Sequence, residues 1–461
     1  MIRRWRRVVM VLPFLVLASS TRLWTAEADP AWLDPYREPA SRLIGAALSD
    51  TFAWHRLAVL TDTIGNRLSG TPQLDRAIAW AADEMKRDGL ENVHLERAMV
   101  PRWVRGAESA AIVEPARHSI VMLGLGNSVA TPSGGVQADV LVVHSFEELE
   151  AAGSRARGRI VLFDVPFTNY GETVRFRTTG ASRAAKLGAV AMLIRSVGND
   201  GLRTPHTGAL NYSDDAPKIP AAAITVEDAD RIARLAAGGA RVVVALDMTA
   251  HFEPDVESAN VVGEIRGREL PNEVVVVSGH LDSWDVGAGA TDDGGGCVVT
   301  WDALRLMKKL NLRPRRTVRV VLWTNEENGG RGGLAYRDAH RNDLANHVLM
   351  LESDGGVFRP LGFGFSGSDS ARTKVKAIAT LLAGIGASAV ANEGGGADIT
   401  PSVQEGHVPG MSLEVDDSKY FVVHHTPADT IDKIDPQDMA KCAAAVAVMA
   451  YVVADMPERL R

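Results

Sequence analysis

Residues 274–293 read VVVVSGHLDSWDVGAGATDD. Alternate side chains of a strand point to opposite sides, so four consecutive valines describe a strand buried on both faces. The run ends in His280 and Asp282, and the segment closes on Asp292 and Asp293. Carboxylates crowded at a buried strand end repel one another and lose hydration. Something positive must compensate them, and the sequence downstream indicates what it is.

After this strand the pattern alternates. GGCVVTWDALRLMKKLNL (295–312) reads as a helix, with Val298, Trp301, Leu304 and Met307 at a spacing of three on one face. RTVRVVLWTN (316–325) reads as a strand, GGLAYRDAHRND (332–343) as a helix and HVLMLESD (347–354) as another strand. Helices follow at 369–386 and 435–456. Strand–helix alternation implies an α/β fold: a mixed, mainly parallel sheet with helices on both faces. Upstream, helical spacing covers 43–65 and 74–88, with RLSGTPQ (67–73) as the break. Between about 117 and 250 the texture changes to short apolar runs separated by glycine, which reads as an inserted α/β or mostly-β domain. The expected division is 21–116 plus 251–461 for the main domain and 117–250 for the insertion.

The chain has 461 residues, more than one core usually supports. Its composition, 46 % hydrophobic and 23 % charged, is that of an ordinary globular protein. The formal charge is −7, and no long basic run occurs outside the N-terminus, which argues against a nucleic-acid partner. MIRRWRR followed by an eleven-residue apolar run at 8–18 and then SS has the layout of a secretory signal, expected to span 1–20 with Ala18 and Ser20 at the cleavage zone. Eleven apolar residues are short for a membrane span of roughly 20. The expectation is therefore export to the periplasm or exterior with no stable span after signal removal. The two cysteines, Cys297 and Cys442, read as buried small hydrophobes rather than a bridge.

In sheets of this kind ligands bind beyond the carboxyl ends of the strands, and polar residues gather there. One strand ends in His280–Leu281–Asp282, the next in Asn325–Glu326–Glu327, the third in Glu352–Ser353–Asp354. A late segment, SKYFVVHHTPADT (418–430), adds His424, His425 and Asp429. Each feature alone is weak, since an EE pair at a strand end is usually solvated and DDGGG is a plausible helix cap. Together they bring acids and imidazoles from successive strands to one edge. Divalent metal resolves the charge problem, and imidazole plus carboxylate suits zinc. There are more acids than one tetrahedral site needs, which favours two metals.

HLDSWD…GATDDGGG, NEENGGRGG, ESDGG and HHTPADT, in this order, resemble the motifs of the co-catalytic zinc exopeptidases, the family that includes the bacterial zinc aminopeptidases and glutamate carboxypeptidase. The resemblance runs from about residue 40 to the C-terminus. It implies a zinc-exopeptidase (phosphorylase/hydrolase-like) fold with a protease-associated domain at 117–250, two Zn2+ per chain and a peptide substrate. It further implies Asp292 as the bridging ligand, Glu327 and His425 on one ion, His280 and Asp354 on the other, Glu326 as general base and a cis peptide at Asp292–Asp293. Asp282 is placed to orient His280, and Asp429 to do the same for His425. Some relatives carry Tyr-His where this chain has His424–His425. That makes His424 or Tyr420 the candidate oxyanion donor, and Asp398 or Ser402 in GGGADITPS candidates to touch substrate. Arg175, Arg177 and Arg203 of the insertion are candidates to lie over the cleft. The expected activity is hydrolysis of dipeptides or short peptides. The alternatives are an aminopeptidase on longer peptides or a receptor-like binding protein that has kept the fold. A homodimer is also consistent with the family.

Overall fold

The computed structural model describes residues 30–199 and 201–460; the secretory signal expected at 1–20 lies outside them. Two eight-stranded sheets organise the chain. In the first, four parallel strands lie side by side in the order Arg316–Trp323, Leu270–His280, His347–Glu352, Gly410–Val415. Antiparallel strands Glu91–Val104 and His251–Ile265 extend one side; Pro360–Ser366 and Ala389–Ala391 extend the other. The mixed, largely parallel sheet expected from the alternation is therefore present.

The valine run behaves as its pattern requires. Val275 and Val277 pack into the core beneath the helices Gly295–Lys309, Pro436–Asp455 and Asp34–Leu48. Val274 and Val276 pack on the other face with Tyr336, Ile399 and Val403, carried by the helices Arg331–His340 and Thr400–Gly406 and the turn before the latter. Helix Pro436–Asp455 is long and apolar enough to cross a membrane, yet 83 % of its most apolar window is buried inside the protein. It is a core helix. Cys297 and Cys442 are both free and buried.

The second sheet is built entirely from the segment between Glu108 and Met248, with helix Tyr170–Lys186 over one face and Val226–Ala237 over the other. Strand Glu108–Glu114, upstream of the sequence-based boundary at 117, pairs in this sheet with His118–Ile120 and Val243–Met248.

The helix expected over 43–65 is divided. Asp34–Leu48 stops at Ser49, and Phe52–Ala58 begins anew. The reason is local: the Asp50 side chain accepts from Phe52 N (2.9 Å) and is held by Arg305 and Lys309, so it caps the second helix instead of continuing the first. The next helix, Pro72–Arg87, starts as its sequence dictates, with Thr71 accepting from Leu74 N and proline in the first turn.

Arg67, in the stretch read as a simple break, is completely buried. It donates to four main-chain carbonyls, those of Leu281 (2.8 Å), Gly65 (2.8 Å), Ala288 (2.7 Å) and Gly289 (3.0 Å). It thereby ties the N-terminal layer to the loop that follows the histidine strand. Arg67→Met leaves buried carbonyls without donors, at roughly 1–3 kcal/mol each. The expected loss is at least about 3 kcal/mol of unfolding free energy in urea; an unchanged midpoint would show that those carbonyls find other partners.

Candidate metal centre

The parallel strands deliver their C-terminal ends to one edge in the registers His280↔Trp323 and Ser278↔Glu352. His280 ends its strand, Glu326 and Glu327 follow the neighbouring strand, and Asp354 follows the third. Asn325 takes a left-handed conformation (φ 65°), which asparagine tolerates, and this turns the Glu pair into the site. The Asp292–Asp293 peptide is cis.

The centre of the arrangement is Asp292. One carboxylate oxygen is 3.1 Å from His280 Nε2 and the other 3.1 Å from His425 Nε2. His280 Nε2 is also 3.3 Å from Asp354 Oδ1, and His425 Nε2 is 3.1 Å from Glu327 Oε2. All five residues expected to bind metal are thus together, in two groups that share Asp292. His280, Asp292 and Asp354 offer ligand atoms within 4.8 Å of one another, and so do Asp292, His424 and His425. His424 Nε2 is 3.5 Å from Asp292 Oδ2, and its ring stacks on His425 at a centroid distance of 3.6 Å. Sequence reasoning did not foresee how closely His424 joins the ligands.

Several of these contacts are close without being hydrogen bonds. Asp292 Oδ2, Asp354 Oδ1 and Glu327 Oε1 are buried and have no hydrogen-bond partner. Lone pairs that converge without pairing fit a shared cation, and buried polar atoms are seldom left unsatisfied otherwise. The donor set, two or three imidazoles and three carboxylates without thiolate, is of the type that binds zinc.

The electrostatics follow from burial among like charges. Burial pulls Asp292 upward, but its contacts with His280 and His425 outweigh this and hold it well below the usual carboxylate range. Burial pushes Glu326 well above that range; His280 opposes the shift, and the Asp354 and Glu327 carboxylates add to it. Glu327 is pushed up to about 7, chiefly by burial and Asp292.

Asp282 and Asp429 are placed differently from the sequence expectation. His280 Nδ1 is 2.9 Å from the main-chain carbonyl of Asp282 and 3.9 Å from its carboxylate. That carboxylate accepts instead from the amides of Glu326 (3.0 Å) and Glu327 (3.3 Å). A two-residue spacing brings the carbonyl of Asp282 nearer to the ring than its side chain. The Asp429 carboxylate accepts from Thr291 N (2.7 Å), Thr291 Oγ1 (2.8 Å) and Asp292 N (3.2 Å), so it fixes the bridging loop and not His425.

Asp293, whose side chain the sequence left without a role, grips His280 N (3.0 Å) and Gly296 N (3.1 Å). Its neighbour Asp292 and the glycines after it were the available signal. Glu352, read from the sequence only as a polar strand end, is buried and accepts from Ile399 N (3.0 Å). Burial and nearby Glu352 push Asp398 well upward; both its carboxylate oxygens are buried without partners, and Ser402 Oγ likewise. The buried Tyr420 ring lies 5.0 Å from that of His424. A cavity of about 270 Å³ runs along this side, lined among others by Glu352, Asp354, Gly396, Glu414 and Tyr420. Of the three arginines, Arg203 pairs with Asp228 and Arg175 lies over the Phe146 and Phe176 rings, while Arg177 is buried 3.4 Å from His425.

Comparison with known proteins agrees with this geometry. Residues 260–450 match the model of peptidase family M28, and residues 126–232 match the PA domain. The chain is 48 % identical over 428 residues to carboxypeptidase Q of Mus musculus, covering 92 % of this chain and 91 % of that one. It is 50 % identical over 408 residues to carboxypeptidase Q of Homo sapiens, covering 88 % and 86 %. The solved structure of a peptidase M28 precursor from Shewanella amazonensis superposes with a TM-score of 0.90 at 35 % identity, covering 93 % of this chain and 98 % of that one. BSAP, a zinc aminopeptidase from Bacillus subtilis, shares the fold at a TM-score of 0.67 and 21 % identity, covering 89 % and 96 %. Identity near one half along most of both chains decides the matter: this protein belongs to peptidase family M28, as a metallopeptidase that carries an inserted PA domain.

Proposed function

We propose that the protein is an exported dinuclear zinc exopeptidase that hydrolyses dipeptides or short peptides, with Glu326 as general base. The observation that carries this reading is Asp292, set between two imidazoles, with its own Oδ2 and one buried oxygen each of Asp354 and Glu327 lacking hydrogen-bond partners. His280, Asp292 and Asp354 would hold one ion, and Asp292, Glu327 and His425 the other. When bound, the zinc ions supply Lewis acidity to the scissile carbonyl and to the attacking water. Export is supported by the arginine-rich and apolar opening of the sequence.

The chain's own groups do the rest. Asp282 holds the Glu326 amide, which fixes where that side chain starts. Glu326 stands beside the residues that would hold the ions, where as general base it takes a proton from the attacking water and passes it to the leaving amine. Burial and the adjacent acids, Asp292 first among them, push the Tyr420 phenol well up, so it stays an O–H donor beside His424, suited to a developing oxyanion. The cavity next to Asp354 is lined by Glu352, Glu414 and Asp417 and by no lysine or arginine. It suits the free amino end of a short substrate.

Elemental analysis of the zinc-loaded chain is expected to give about two zinc ions. Glu326→Gln is expected to keep both and lose roughly 10²- to 10⁴-fold in kcat on a dipeptide panel. A chain that binds no zinc and hydrolyses nothing after reconstitution overturns the reading. Asp354→Ala and His425→Ala are each expected to lower the count to about one; a count still at two would mean that the ligands are misassigned. N-acetylated dipeptides are expected to be poor substrates, and hydrolysis at the rate of the free peptides would place the amino end elsewhere.

A further inference from the structure

The inserted domain touches the metal centre at several points, and at His425 it does so through both backbone polar groups of Thr207. Thr207 N donates to the main-chain carbonyl of His425 (3.0 Å), and the Thr207 carbonyl lies 3.3 Å from His425 Nδ1. With Nε2 turned to Asp292 and Glu327, Nδ1 carries the ring proton and donates to that carbonyl. The same oxygen accepts from Arg177 Nη1 at 3.3 Å. The 3.4 Å contact between Arg177 Nη1 and His425 Nδ1 is then two N–H donors converging on one oxygen with two lone pairs, not a bond between them.

Arg177 is itself tightly held. Its Nη2 donates to the Tyr170 hydroxyl (2.8 Å). Tyr170 stacks on Phe421 at 5.2 Å and meets His424 edge-on at 5.1 Å. The guanidinium lies against Gly208, where a Cβ would come within 2.3 Å of Cζ. It is only 5 % exposed, and its hydrogen-bond partners here are a carbonyl and a phenol, neither of them an anion. His425 in turn sits at φ 60°, a left-handed conformation that costs a non-glycine residue roughly 1–3 kcal/mol and persists only where the surroundings enforce it.

We propose that Arg177 is a positioning residue for the metal centre: through the Thr207 carbonyl it fixes the tautomer and orientation of His425, so the inserted domain sets how tightly one of the two ions is held. This rests on the two-ion reading above. Groups that orient a metal-binding histidine typically contribute 10- to 100-fold in affinity.

The test uses the full chain loaded with zinc and titrated with a chromophoric chelator. Arg177→Met is expected to release one ion at roughly tenfold lower chelator concentration and the other as in wild type. Arg177→Lys, which keeps a cationic donor group but loses the planar fork, is expected to fall between. Arg175→Met, on the same helix but over the Phe146 and Phe176 rings, is expected to match wild type. In cobalt-loaded protein, Arg177→Met is expected to change the visible absorption of one ion only. Wild-type retention of both ions and an unchanged cobalt spectrum in Arg177→Met overturn the proposal. If that variant does not fold, wild-type retention in Arg177→Lys does so. A wild-type chain that takes up no zinc sinks the two-ion reading and this inference with it.

Discussion

Asp292 faces an imidazole on each side, and the rest of the catalytic domain is arranged to keep it there. Its amide is held by Asp429, the cis peptide after it turns the chain, and Asp293 returns to grip the amides of His280 and Gly296. The acids at this sheet edge divide by role. Asp292, Glu327 and Asp354 turn oxygens to the centre, while Asp282, Asp293 and Asp429 spend theirs on main-chain amides. Carboxylate-to-amide hydrogen bonds are among the stronger ones, so the second set makes the position of the first nearly rigid. Close approach is part of the device: a Cβ on Gly296 would lie 1.9 Å from the Ser353 carbonyl.

Such a cluster is costly to bury, and the protein meets the cost unevenly. Arg67 offers a full positive charge beneath the loop, but its donors go to carbonyls, so its effect on Asp429, Asp282 and Asp293 is through space. Glu352 and Asp398 remain as a second buried acidic pair, Glu352 pushed up to about 7 by burial and by Asp354. The uncompensated excess is concentrated where a divalent cation would lower it most.

Much of this was legible in the residues. The valine run, the alternation after it and the polar strand ends specified the parallel core, because each is a local pattern with one physical reading. The polar cluster was legible because strand ends bring His280, Glu327 and Asp354 to one edge whatever the loops do, while the role expected of each residue came from the resemblance. Other features depend on distance in space. Nothing near Arg67 in sequence says that it reaches the carbonyls of Leu281 and Ala288, and nothing near Thr207 says that it meets His425. The helix break at Ser49–Asp50 was hidden because apolar spacing continues through it while the capping contact comes from Asp50. Asp282 and Asp429 were recognised as supports, but whether such a side chain holds a ring or an amide is settled by differences of about an ångström, below what spacing resolves.

The two sheets also differ in how their strands are drawn from the chain. The second sheet is contiguous, from Glu108 to Met248, whereas the first takes strands from both sides of it and is covered by helix Pro436–Asp455, the last in the chain. On a growing chain the insertion is complete while most of the catalytic sheet has yet to be made. Val275 and Val277 share their core with that helix, so the face they occupy is completed by a segment made far downstream of them. The strands that end at the metal site thus all follow the insertion in the chain, and Thr207 is synthesised before His425.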